Sequence, residues 1–103
     1  MINNNIAFED RAYELLASIA NKIEENDPDG EVDVDLNDAI LTIATEDGVF
    51  VINKNSAAQE IWLSSPISGP YHFAYLDDKW QTTKSIFLFD IITKELKVDF
   101  NGV

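Results

Sequence analysis

Apolar and polar positions in this chain change period near residue 27. Over about residues 5–26, Phe8, Ala12, Leu15, Leu16, Ile19 and Ile23 recur at spacings of three and four, which gathers them on one stripe of an amphipathic helix. Asn4 or Asn5 is the expected cap, and Glu9 and Asp10 suit the positive first turn. Asp27-Pro28-Asp29-Gly30 stops the helix. The period then falls to two. Val32, Val34 and Leu36 alternate with Glu31, Asp33 and Asp35, the signature of a half-buried strand. Asn37-Asp38 turns into a second strand over residues 40–44, and Glu46-Asp47-Gly48 into a third over residues 49–53. "QEIWLSS", residues 59–65, is a fourth. A loop over residues 66–70 leads to a fifth over residues 71–76, and Asp77-Asp78 to a short sixth around Trp80. Leu88, Ile91, Ile92 and Leu96 restore helical spacing over about residues 85–97, with Ser85 as the expected cap.

Helix, hairpin-linked strands, helix is the order of an antiparallel sheet with helices at both chain ends. The expected class is α+β: a two-layer α-β sandwich, two terminal helices on one face of an antiparallel sheet of about six strands, forming one domain over residues 1–103. The other sheet face meets water. Ile61 and Leu63 alternate with Glu60, Trp62 and Ser64, so alternation puts Trp62 on that wet face.

The chain of 103 residues has no cysteine, which removes disulfides, thiolate metal sites and a cysteine nucleophile. No apolar run reaches the ~18 residues of a membrane span. Residues 1–14 carry neither signal-peptide nor transit-peptide character, and the expected location is the cytoplasm. The net charge of −12 is uneven: residues 1–38 hold eleven acids against Arg11 and Lys22. Such a surface is a poor match for nucleic acid and a good one for cations or a basic protein.

Glu24, Glu25, Asp27, Asp29, Glu31, Asp33 and Asp35 fall within twelve residues. The first four crowd a helix C-terminus, where each exposed acid costs up to ~0.3–1 kcal/mol. Glu31, Asp33 and Asp35 are expected on one side of a strand, about 6.7 Å apart in steps of two residues. One reading is an edge strand defended by charge. The other is a shallow surface for hard cations, since carboxylates suit Ca²⁺, Mg²⁺, Mn²⁺ and iron. The two readings are compatible. An EF-hand register starting at Glu25 gives Asp27, Asp29, Gly30 and Asp33 at suitable places but puts Leu36 where a bidentate Glu is required.

On the open sheet face, alternation brings Asn53, Trp62 and His72 to neighbouring strands. An exposed tryptophan among hydrogen-bonding groups is a protein-binding hot spot; the alternative is a Trp62 folded down over a neighbour to close the small core. No partners for a catalytic triad accompany His72. Trp80 is expected to pack at the sheet's end.

The stretch "INKNSAAQEIWLSSPISGPYHF", residues 52–73, resembles the signature of the frataxin family in its bacterial, CyaY-type branch. So do the acidic "EENDPDGEVDVDLND", residues 24–38, and the closing helix after Trp80. The chain departs from the family pattern at Asn55 and Glu60, where glutamine is frequent, and at Ala20-Asn21, where the bacterial members carry an acidic pair. The loop over residues 82–87 also lacks a frequent glycine. The resemblance implies an iron-binding regulator or iron donor in iron–sulfur cluster assembly, acting on the cysteine desulfurase–scaffold complex without being an enzyme. It implies iron held weakly by Glu24, Glu25, Asp27, Asp29, Glu31, Asp33 and Asp35, and docking through Asn53, Trp62 and His72. A monomer, with iron-dependent oligomers, goes with it. Ferroxidase or iron-storage activity, or an acidic protein-binding module with no metal role, are the alternatives. The Glu-x-x-His motifs of di-iron bundles are not evident in the sequence.

Overall fold

A computed structural model describes residues 4–27 and 29–100, with side chains from Ala7 onward. The elements are α1 (Asn4–Glu25), β1 (Asp33–Asn37), β2 (Ile40–Thr45), β3 (Gly48–Asn55), β4 (Glu60–Ser65), β5 (Gly69–Leu76), β6 (Lys79–Gln81) and α2 (Leu88–Leu96). The six strands pair in sequence order, every pair antiparallel. This is the α-β sandwich that the alternation of the chain predicts: two helices on one face of a six-stranded antiparallel sheet.

The helical stripe and the inward strand positions meet in one core. Phe8, Ala12, Leu15, Leu16, Ile19 and Ile23 of α1 and Leu88 and Ile92 of α2 are buried. They cover Leu41, Ile43, Phe50, Ile52, Ile61, Leu63 and Phe73 of the sheet. Each of the Leu, Ile and Phe side chains contributes ~1.5–3 kcal/mol relative to leaving it in water. Trp80 caps the far end, edge-on to Phe8 and Tyr75. With that face dry, the alternate positions of every strand are committed to the solvent side.

Local details differ from the sequence reading. Asn5 lies inside α1, which includes Asn4 as its first described residue; no acid occupies the first turn, and Glu9 and Asp10 lie beyond it. Glu31 precedes β1 rather than belonging to it. The chain enters α2 only at Leu88, and Ser85 is no cap: it has φ +61°, and Phe87, without a side-chain cap bond, stands at the helix entry. The reason is Thr82. Its N–H donates to the Ile86 carbonyl at 2.9 Å, and its Oγ1 accepts from Lys84 and Ile86 N–H. Those bonds close residues 82–86 into a turn that competes with helix.

Candidate functional site

The register of the sheet builds one row across its open face. Ile40 stands opposite Asn53, Asn53 opposite Trp62, and Trp62 opposite His72. Directly opposed residues on adjacent antiparallel strands hold their Cβ atoms within about 5.5 Å. The three residues marked by alternation are therefore consecutive members of a single cross-strand row.

Trp62 is half-buried and His72 exposed. Their rings stack, with centroids 4.1 Å apart and planes 7° apart. The indole Nε1 donates to Glu60 Oε1 at 3.0 Å, and the His72 Nδ1 lies 3.9 Å from that same oxygen. Trp62 is thus laid against His72 on the solvent side of the sheet and takes no part in closing the core. Asn53 donates through Nδ2 to the Lys54 carbonyl at 3.3 Å. Val49 and Val51 extend the same face on β3, Val49 being 50% exposed. Surface clefts among the described residues lie elsewhere, at the C-terminal ends of the helices, beside Tyr75 and Trp80, and beside Tyr13. A flat aliphatic and aromatic face of this kind offers area to a macromolecule rather than a socket to a small molecule.

The acidic residues lie along the end of α1 and the edge strand β1. Glu24, Glu25, Asp29, Glu31, Asp33 and Asp35 are exposed. Asp33 and Asp35 project from the open side of β1, beside Ala44 and Thr42 of β2. Asp27 differs from the rest. Its two carboxylate oxygens accept the N–H groups of Glu31 and Val32, each at 2.9 Å. That carboxylate pins the turn by which the chain leaves α1 and enters β1. Among the described residues no three His, Asp or Glu side chains converge to hold a metal ion. Among the described residues the ridge is a string of separate carboxylates, not a cage.

Two carboxylates with few sequence cues prove to be structural. Glu95 of α2 accepts hydrogen bonds from Ser65 and Ser68, both at 2.5 Å. Glu9 of α1 pairs with Lys54 and accepts from Ser56 at 2.6 Å. Lys54 takes an inward position on β3 beside Ile61, so its amine emerges at the rim of the helix layer, where Glu9 waits. The Lys54 hydrogen bond, followed by that from Ser56, holds the Glu9 carboxyl below its ordinary pKa. Glu60, which alternation assigns to the open face, is the further member of the Trp62 site. No helix among the described residues is long and apolar enough to cross a membrane.

A family model described as a frataxin-like domain matches residues 2–102. The iron-sulfur cluster assembly protein CyaY of Thioalkalivibrio sulfidiphilus is 37% identical over 76 residues, covering 73% of this chain and 70% of that protein. A frataxin from Psychromonas ingrahamii has a TM-score of 0.77 at 28% identity, over 94% of this chain and 97% of the other. A trimeric frataxin from Saccharomyces cerevisiae, complexed with ferrous iron, has a TM-score of 0.76 at 34% identity, over 84% and 81%. The matched segment spans only 37% of the length of a mitochondrial frataxin-like protein of Leishmania donovani, at 41% identity.

Proposed function

The chain belongs to the frataxin-like family, and from that premise we propose that it serves iron–sulfur cluster assembly as a docking regulator of the cysteine desulfurase–scaffold complex. The observation that carries this reading is the cross-strand row Asn53–Trp62–His72 on the sheet face that the helices leave open. A stacked indole with a hydrogen-bonded N–H is a rigid anchor that loses little freedom on binding. Asn53 and Glu60 supply polar contacts around it. The carboxylates from Glu24 to Asp35 give the neighbouring edge a strong negative field, which steers a basic partner surface toward this end of the molecule.

Iron enters as cargo. Exposed carboxylates without imidazole or thiolate bind Fe²⁺ through oxygen alone and let it leave readily. In this scheme Glu24, Glu25, Asp29, Glu31, Asp33 and Asp35 hold hydrated iron, while Asp27 chiefly shapes the turn between them. The chain has no cysteine, so sulfur passes between its partners and never onto it.

The test is co-purification with a desulfurase–scaffold complex together with desulfurase turnover at varied Fe²⁺. The intact chain is expected to bind and to change turnover. Trp62→Ala should lose binding, and Asp33→Asn with Asp35→Asn should lose the iron dependence first. Unchanged turnover together with no complex on a sizing column would remove this role.

A further inference from the structure

Beyond its polar contact with the indole, the Glu60 carboxylate also lies near the other ring of the Trp62–His72 stack. Its Oε1 accepts the indole N–H at 3.0 Å and stands 3.9 Å from His72 Nδ1. Glu60 is two residues from Trp62 on β4, and so shares its face. The carboxylate is half-buried, while the imidazole is more open to water.

We propose that Glu60 is the positioning residue of the open-face anchor, and that His72 makes this positioning respond to pH. With a neutral imidazole, the carboxylate serves the indole N–H alone and leaves a negative charge beside Trp62. With a protonated imidazole, the same oxygen is shared between the indole N–H and an imidazolium N–H. The imidazolium also lies flat against the indole π face, a favourable cation–π arrangement. Protonation therefore clamps Trp62 from two sides and cancels the negative charge at the centre of the row. A partner that presents a cation to Glu60 meets a weaker and less adaptable face in acid.

The surroundings leave Glu60 as the charged group facing His72. On β3 the row holds Asn53. On β5 the same-face neighbours of His72 are Pro70 and Ala74, and β6 brings Gln81 beside Ala74. Lys79 of β6 stands opposite Leu76 and reaches over the Phe87 ring. Lys84, in the turn after β6, bonds through its N–H to Thr82. Neither lysine makes a described contact with the imidazole.

The consequence for docking rests on the proposed function; the positioning itself does not. The experiment is therefore run on the isolated chain. The indole N–H resonances of Trp62 and Trp80 are followed by two-dimensional NMR from pH 5 to 8, the range in which imidazoles change charge. Trp62→Phe identifies the Trp62 signal. The Trp62 signal is expected to move with pH while that of buried Trp80 stays still. His72→Gln should abolish the movement. Glu60→Gln keeps an acceptor but deletes the charge, and should shift the signal at every pH and remove most of its pH dependence. A Trp62 signal that ignores pH, or one that moves equally in Glu60→Gln, overturns the proposal. Either result leaves co-purification through Trp62 free to succeed or fail on its own.

Discussion

The Ser65 hydroxyl donates to Glu95 Oε1 at 2.5 Å, fastening the end of β4 to α2 across 30 residues of chain. Ser65 is a buried polar residue, 7% exposed, and its oxygen also accepts the N–H groups of Ile67 and Ser68 at 3.0 Å. The second carboxylate oxygen holds the Ser68 hydroxyl. One side chain of α2 thus stands under the loop between β4 and β5.

Glu95→Ala removes the acceptor for both hydroxyls. Hydrogen bonds to a charged group are worth ~1.5–3 kcal/mol each in favourable cases, and partial exposure to water lowers that figure here. The expected loss is about 1–3 kcal/mol in urea unfolding, with Glu95→Gln intermediate. A loss below the error of the measurement would show that water replaces the carboxylate at no cost.

Glu9 gives the acid side of the stability curve a definite sign. Its pKa is depressed in the folded chain by Lys54 and then by Ser56. A carboxylate with a depressed folded pKa contributes stability above its unfolded value, ~4.3 for Glu. That contribution is lost as pH falls through the folded value. The stability difference between the intact chain and Glu9→Gln is therefore expected to be steady from neutrality down to about pH 5, then to shrink. Urea unfolding at a series of pH values reads this directly. A difference that grows in acid contradicts the pairing. Because the pair is partly open to water, added salt should also reduce the difference.

The hairpin between β5 and β6 turns on Asp77 and Asp78, with φ +52° and +62°. Two consecutive positive values define the type I′ turn, which favours Asp-Gly or Asn-Gly. Asp78 is exposed and carries charge next to charge. Asp78→Gly should relieve left-handed strain and repulsion together, raising stability by about 0.5–1 kcal/mol. Thermal unfolding at low and high salt separates the two contributions, since only repulsion is screened. A lowered melting temperature would mean that Asp78 holds contacts that outweigh its backbone strain.

What the sequence reveals here follows from how far each interaction reaches along the chain. Strands β1 to β6 are readable because alternation and turn residues act over two to four positions; Asp77-Asp78 and Gly48 each mark a hairpin locally. The row Asn53–Trp62–His72 is readable for the same reason, since short turns leave the register little choice. The partners of Lys54 and Ser65 are not, because Glu9 and Glu95 lie 45 and 30 residues away. Exposed acids look alike in a sequence, and only the fold divides Asp27 and Glu95, which hold the chain, from Asp33 and Asp35, which face water. The start of α2 was obscured by a different cause: the apolar spacing extends toward Ser85, but the Thr82 turn captures those residues first.

The division among the acids yields the most discriminating test of the ridge. Asp27 satisfies two backbone N–H groups, so Asp27→Ala should cost about 1–2 kcal/mol in denaturant unfolding. Asp33 and Asp35 point into solvent from the same side of β1. Replacing both by Asn relieves repulsion, and should leave stability unchanged or raise it by up to about 0.5 kcal/mol. Iron uptake should rank the variants in the opposite order. In anaerobic calorimetric titration with Fe²⁺, the Asp33→Asn, Asp35→Asn double variant is expected to lose more heat of binding than folded Asp27→Ala. If the double variant takes up Fe²⁺ in full while Asp27→Ala takes up none, iron is held at the turn after α1. The carboxylates of the strand would then serve only to guard a sheet edge.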